Sequence, residues 1–478
     1  MATSVSTNES PVKRPLDANQ LKRLREILPP ERLLTDPADC LSYGYDNSRR
    51  VSLPQGVVFP ISTAEVQALV KLCHDTAIPL VARGRGTNTT GATVPIAGGL
   101  VLSTERMDRI LRVSPGDRLL ICEAGTLNGA VQTAAGAHGL FWAPDPTSAV
   151  YSTVGGNLAC NAGGPRAVKY GASRDNVLGL EAVTGSGTLI QGGTLTTKNA
   201  VGYDLTRLLI GSEGTLAIIT SAALRLLPKP EATRTLRAVY ADVPAAAAAV
   251  ARLMAQPDTP SALEFFDGQA VNLAQAQRDC GLPAHAGALL LIEVDGPAAD
   301  IARAQQAVAT FAAGPGLISL ETAATAVEAE ALWAARKALS PALRSLAPKK
   351  VNEDVVVPVS RLPELVAGIE LLSARHALRI VVFGHAGNGN LHVNLLADPD
   401  DPIQLRSIDA CLGELFRLVL DLEGSLSGEH GVGMAKRDFV DWQLSPGTLS
   451  LLQAVKQVFD PMQIMNPYKT LPRTLPSR

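Results

Sequence analysis

Two histidines, His385 and His392, stand seven residues apart in FGHAGNGNLHVN (383–394), among Gly384, Gly387 and Gly389 and with Asn388 and Asn390 between them. On a straight strand that separation puts the side chains on opposite faces. A helix would align them, but glycine at this density does not keep a helix. The expected geometry is strand, tight glycine-bearing loop, strand, which folds both imidazoles onto one point. Further on, SGEHGVG (427–433) sets Glu429 and His430 side by side between glycines. Imidazole and carboxylate are ligands for a divalent metal such as zinc. These residue types point to a metal site of His385, His392 and Glu429, with His430 beside it as an acid/base. The alternative is three unrelated histidines in polar loops.

A second chemical stretch follows the apolar run LVA: Arg83, Gly84, Arg85, Gly86, Thr87, Asn88, Thr89, Thr90 and Gly91. Glycine lets backbone N–H groups approach a phosphate closely, and the two arginines add positive charge. No Gly-Lys-Ser/Thr follows, so this is not a Walker A loop, and Thr89 stands where a Rossmann fingerprint needs its third glycine. An ordinary tight turn is the competing reading. The third stretch, 144–183, is rich in small residues and carries Gly155-Gly156-Asn157 and Gly163-Gly164. A hairpin with a Gly185-x-Gly187 turn follows, and LLIGSEGTLAIIT (208–220) reads as strand, turn, strand around Gly211, Glu213 and Gly214. Four glycine-bearing turns separated by strands suggest a large, flat, anionic cofactor lying along sheet edges.

These groups need a scaffold of some size. The chain has 478 residues, enough for two or three domains. Aromatics are only 4% of it, so aliphatic packing of mixed helices and sheets is expected. The formal charge of −2 offers no footprint for nucleic acid. Six cysteines without a Cys-x-x-Cys pair suit a reducing compartment and give no support for an iron–sulfur cluster. There is no apolar leader and no run approaching a membrane span, so a cytoplasmic location is expected, with peripheral membrane contact left open.

The spacing predicts a polar, loosely ordered arm and then an amphipathic helix around Leu21, Leu24, Ile27 and Leu28, together 1–50. A helix over 64–76 is expected, started at Ser62 or Thr63 and ended by Pro79. Pro228 to Pro230 mark a boundary, after which helices and strands alternate as in a separate α+β domain. Helices are expected over 328–339, 407–423 and 449–459, and the sequence Asn352-Glu353-Asp354 leads into the strand VVVP.

In this order the motifs resemble the FAD-linked 2-hydroxy-acid dehydrogenases of the vanillyl-alcohol-oxidase/PCMH fold, whose members include D-lactate dehydrogenase, the glycolate oxidase flavin subunit and D-2-hydroxyglutarate dehydrogenase. The matching pieces are the 83–91 loop, Pro144-Asp145-Pro146-Thr147-Ser148, Gly155-Gly156-Asn157, Gly202-Tyr203-Asp204-Leu205 and 210–215. The match continues through Gly384-His385-x-Gly387-Asn388-Gly389-Asn390-Leu391-His392, then Gly428-Glu429-His430-Gly431 and Asn466-Pro467. The resemblance implies an α+β protein: a two-part FAD-binding domain (51–229), an antiparallel-sheet cap domain (230–426) and a short C-terminal return (427–478). It implies FAD held by the first loop, by Pro144, Asp145, Thr147, Ser148, Gly155, Gly156 and Asn157, by Gly211, Glu213, Gly214 and Ile218, and by Asn466 and Lys469. The first loop carries no histidine, so non-covalent FAD is expected.

The same resemblance assigns His385, His392 and Glu429 to a divalent metal, with zinc expected, and His430 to proton abstraction from the substrate hydroxyl. Arg336 matches a carboxylate-binding arginine, with Ser340, Asn352 and Asn394 as further substrate contacts. Hydride passes to the flavin and then to an external acceptor (a quinone, cytochrome or electron-transfer flavoprotein), and a homodimer is possible. Asn352 stands where relatives active on D-2-hydroxyglutarate carry lysine, which tilts the substrate to a small acid such as D-lactate. Arg85 replaces the small residue usual in the first loop. The competing readings are a glycolate-oxidising or dicarboxylate-oxidising enzyme, a metallohydrolase built on the two histidines, and a non-catalytic flavin-binding subunit.

Overall fold

A computed structural model of the chain describes residues 15–277, 281–283, 285–343, 346–347 and 349–472. The expected N-terminal arm (1–14) and Cys280 lie outside the described residues. The first helix, Ala18–Ile27, starts at a capping box in which the Asp17 carboxylate accepts from the Gln20 amide. Thr63–Thr76 is a helix capped by Ser62, and it buries Val66, Leu69, Val70 and Cys73 on one face. Among the described residues no helix is long and apolar enough to cross a membrane.

Two larger sheets and a two-stranded pair, Leu140–Phe141 with Leu227–Pro228, lie before the boundary. In the four-stranded one, Gly56–Val58, Leu100–Ser103 and Leu80–Arg83 run parallel and Leu33–Leu34 is an antiparallel edge. The other is antiparallel, in the order Ile110–Ser114, Leu119–Glu123, Ala217–Arg225, Val177–Thr184, Leu189–Gly193. Beyond Pro230 a seven-stranded antiparallel sheet runs Leu317–Thr322, Ala232–Tyr240, Ala288–Gly296, Ala262–Asp267, Arg379–His385, Asn390–Ala397, Lys349–Val356. Its largest apolar core forms against the helices Val243–Met254, Ile301–Ala312, Leu362–His376 and Pro402–Asp421. The chain then returns to the first unit, where the Leu80 amide donates to the Ile464 carbonyl and the Leu80 carbonyl accepts from the Asn466 amide.

Three local readings differ from the structure. Leu208 and Leu209, expected to open a strand, instead end the short helix Leu205–Leu209, because the Asp204 carboxylate accepts from the Arg207 amide and nucleates it. Gly155, Gly156 and Asn157 form the first turns of the helix Val154–Cys160, capped by Thr153, where a flat turn was expected. Asn352, Glu353 and Asp354 lie inside the strand Lys349–Val356 and do not merely lead into it.

Candidate active site

The strand pair that carries the histidines is closed by a single turn of 3₁₀ helix at Ala386–Asn388 and a left-handed Gly389. Phe383 pairs with His392 and His385 with Asn390, so all four side chains project from one face of the sheet. Neighbouring strands add to that face, since Glu264 lies opposite His385 and Asp354 and Asn352 lie opposite His392 and Asn394. The opposite face packs on helices. One side of this sheet therefore gathers the polar groups of four strands.

His385 and His392 meet edge to face with ring centroids 5.1 Å apart. Glu429 reaches them from the C-terminal return, its Oε1 lying 3.1 Å from His385 Nε2 and 3.7 Å from His392 Nε2. One ligand atom from each of the three residues falls within 4.8 Å of the others, the one such group among the described residues. His392 Nδ1 is buried without a hydrogen-bond partner. Two imidazoles, a carboxylate and an orphaned ring nitrogen make a donor set that fits a divalent cation.

His430 stacks on His392 at 5.2 Å, and its Nδ1 lies 3.5 Å from Asp354 Oδ1. Asp354 is fully buried and organises the whole segment. Its Oδ2 accepts the amides of Gly428, Glu429 and His430 at 2.7, 2.6 and 3.2 Å, while its Oδ1 takes the Lys436 ammonium at 2.6 Å. Burial opposes its charge, but Lys436 and these donors outweigh it and hold the carboxyl well below the usual range. From the other side Glu213, at a left-handed backbone position, accepts the amides of Val432 and Gly433. Asn88 donates to the His430 carbonyl at 2.9 Å, and Gly164 donates its amide to Glu429 Oε2 at 2.8 Å. Two buried carboxylates, one from each unit, thus grip the loop that presents Glu429 and His430.

Arg336 is buried on the helix Ala326–Ala342. Its Nε donates to Glu264 at 2.6 Å and its guanidinium lies 4.8 Å over the Phe383 ring. Glu264, fully buried, also meets His385 Nδ1 at 2.5 Å. Burial works against the Glu264 charge, but His385 and Arg336 outweigh it and hold the carboxyl down at about 2. Burial, reinforced by the adjacent His385, lowers His392 to about 3 and keeps that ring neutral.

A cavity of about 540 Å³ joins these groups to the glycine loops. Its wall takes in Arg83, Gly84, Arg85, Gly86, Thr87, Asn88 and Thr89; Thr147 and Ser148; Gly155, Gly156 and Asn157; Glu213, Gly214 and Ile218; and Arg336, Asn352, His392, Glu429 and His430. Within it Thr89 Oγ1 and Asn157 Nδ2 are buried without a partner. Orphaned polar atoms beside a glycine-rich backbone fit a phosphorylated cofactor.

Other expected site residues turn their polar ends away from the cavity or lie off its wall. Arg83 does not aim its charge at the cavity, because its guanidinium donates to the Tyr45 and Ser42 carbonyls and to Thr93. Arg85 is half-exposed and pairs loosely with Glu105 at 3.8 Å. Thr90 and Gly91 back the loop, the Thr90 carbonyl accepting from Met434 and Ala435. Pro144 and Asp145 brace the next segment through Asn128 and Gly163. Gly211 adopts φ 89° and donates to Leu158. The Gly185 turn packs on Phe459 and Asp460, away from the cavity. Asn466 donates to the Ala92 and Glu213 carbonyls, and Lys469 to Val94, so both fasten the C-terminal return. Asn394 is fully buried behind the cavity wall, its Nδ2 spent on Val381 and His392 and its Oδ1 free. The Ser340 side chain lies outside the described residues. Sequence reasoning missed Glu264 and the role of Asp354. The local signal was slight: Glu264 sits between apolar residues in ALEFFD, and Asp354 ends a polar stretch, Asn352-Glu353-Asp354, within its strand.

Comparison with known proteins places this geometry in a family. Residues 229–470 match the C-terminal domain of FAD linked oxidases, and residues 54–193 match an FAD binding domain. The chain is 37% identical over 449 residues to the glycolate oxidase subunit GlcD of Bacillus subtilis, covering 94% of this chain and 96% of the relative. It is 33% identical over 463 residues to D-2-hydroxyglutarate dehydrogenase of Stutzerimonas stutzeri, covering 95% and 99%. It is 34% identical over 463 residues to D-lactate dehydrogenase of Archaeoglobus fulgidus, covering 95% and 98%. The crystal structure of p-cresol methylhydroxylase superposes with a TM-score of 0.79 over 95% of this chain and 96% of that one, at 16% identity, and shares the fold. The chain belongs to the FAD-linked oxidases, as an FAD-dependent oxidoreductase of the D-2-hydroxy-acid and glycolate oxidase group.

Proposed function

We propose that this protein oxidises a small D-2-hydroxy acid, with D-lactate favoured, to the 2-oxo acid. The observation that carries the reading is the single cavity whose wall runs from the glycine loops to Arg336, His392, Glu429 and His430. FAD, when bound non-covalently along the glycine loops, supplies the hydride acceptor. A divalent cation held by His385, His392 and Glu429, zinc by the chemistry of its ligands, supplies Lewis acidity that lowers the hydroxyl pKa. Arg336 binds the substrate carboxylate through the guanidinium edge that Glu264 leaves free. His430 accepts the hydroxyl proton at the ring nitrogen turned away from Asp354, which orients the ring. Asn352, with a free amide oxygen, borders the substrate end of the cavity and suits a short side chain better than a second carboxylate. Electrons then leave to an external acceptor such as a quinone, cytochrome or electron-transfer flavoprotein.

Glycolate is the second reading, favoured by the 37% identity to a glycolate oxidase subunit. Anaerobic bleaching of the flavin absorbance with D-lactate, L-lactate, glycolate and D-2-hydroxyglutarate separates these. Fast bleaching by D-lactate alone is the expected result; bleaching by glycolate and not D-lactate transfers the assignment, and bleaching by none of the four removes it.

A further inference from the structure

Glu264 lies at the centre of the polar sheet face without touching the cavity. Its two carboxylate oxygens serve different partners: Oε1 meets His385 Nδ1 at 2.5 Å, and Oε2 accepts from Arg336 Nε at 2.6 Å. His385 has only Nε2 left to offer a cation, and that nitrogen faces Glu429. Arg336 has its Nε committed and its plane stacked over Phe383, so the terminal nitrogens are the ones left for a substrate anion. Strand register makes the arrangement rigid, since Glu264 is the cross-strand partner of His385.

We propose that Glu264 is a positioning residue that couples the two halves of the site, so that metal affinity at His385 and anion recognition at Arg336 are set by one carboxylate. The inference rests on the reading of His385, His392 and Glu429 as metal ligands. A carboxylate on the far nitrogen of a ligating histidine fixes the tautomer and makes the ring a stronger ligand. Charge drawn from that carboxylate by a guanidinium weakens the same effect. Removing Arg336 therefore strengthens metal binding, and does so more while Glu264 is present than through its direct charge on His392 alone. The arrangement sets carboxylate recognition and metal grip against each other through one shared group.

The test uses the FAD-loaded full chain and measures zinc affinity by competition with a chromophoric chelator in four proteins: the wild type, Glu264→Gln, Arg336→Met and the double variant. Glu264→Gln is expected to weaken zinc binding about 10–100-fold with flavin content unchanged. Arg336→Met is expected to tighten it at least about threefold in the wild-type background and by distinctly less in the Glu264→Gln background, the signature of coupling through the shared group. Zinc affinity within twofold of wild type in a yellow Glu264→Gln protein overturns the inference alone. So does an equal effect of Arg336→Met in both backgrounds. A wild-type protein that takes up no zinc overturns the metal reading itself and this inference with it. If Glu264→Gln emerges without flavin, Arg336→Met decides: zinc affinity unmoved by that change overturns the coupling. In the variant that binds zinc weakly, KM for whichever of the four hydroxy acids reduces the wild-type flavin is expected to rise more than kcat falls once zinc is saturating.

Discussion

His430 is the side chain on which the proposed chemistry turns, and its surroundings differ from those of His385, His392 and Glu429. It stacks on a neutral His392, leans toward Asp354 and borders the cavity. Its replacement by alanine leaves every glycine loop intact, so flavin content should be unchanged. The rate of anaerobic flavin reduction should fall about 10²–10⁴-fold, the usual contribution of a placed general base. Stopped-flow absorbance measures it, and near-normal reduction would remove His430 from the mechanism. Asp354→Asn acts differently, because it takes from the buried Lys436 ammonium the nearer of its two carboxylates, leaving Glu353 at 3.4 Å, and puts an amide donor against backbone amides. Breaking a buried pair from one side costs about 3–5 kcal/mol; urea unfolding should show a loss of that order, and a loss under about 1 kcal/mol would count against the clamp. At this scale the histidines and Glu429 were legible because metal-ligating residue types between glycines are few. Glu264 was not, since the pairing that brings it to His385 spans 121 residues, and nothing local in ALEFFD announces a partner so distant.

The elements show the same division. The helix Thr63–Thr76 and the histidine hairpin follow from periodicity, capping and turn chemistry, which are local. The strand expected from 208 is instead the end of the helix Leu205–Leu209, because three leucines among five residues carry little periodicity and the Asp204 cap decides the matter. The C-terminal return is held by groups the resemblance had assigned to flavin. Burial lowers the Lys469 ammonium from 10.5 to about 8, only partly offset by Glu213 and Asp46. Between about pH 8 and 10.5 the unfolded chain keeps a proton that the folded protein has released, so this group adds stability as pH rises across that window. Below pH 8 both states hold the proton and the burial penalty is present in full. The stability difference between wild type and Lys469→Met should therefore shift in favour of wild type from pH 8 to pH 10. Chemical denaturation at both values checks it; a pH-independent difference would mean the ammonium is not held at a lowered pKa.

At the scale of the molecule, the proposed reaction needs parts from both units at once. The cavity wall combines the glycine loops of the first unit with the sheet face of the second, and the loop bearing His430 is gripped from both. Composition placed a boundary at Pro228 to Pro230, between the last small-sheet strand and the first strand of the large sheet, but it carried no sign of how the units dock. Docking runs through Asp295, whose carboxylate accepts from the Lys169 ammonium at 2.5 Å and the Tyr170 hydroxyl at 2.8 Å, with Arg166 and Glu293 3.9 Å apart alongside. The segment bearing Lys169 begins just after Gly164, which holds Glu429. Loosening this contact shifts the sheet relative to the flavin loops while leaving each intact. A misplacement of about 1 Å between reacting groups can cost about 10²-fold in rate. Asp295→Ala should thus keep its FAD yet reduce flavin about 10–100-fold more slowly, whereas Asp295→Asn, which retains an acceptor for Tyr170, should lose less. Single-turnover flavin reduction at saturating substrate measures both. If Asp295→Ala is yellow and reduces flavin at the wild-type rate, alignment across the two units is set by the Glu213 and Asp354 grip alone.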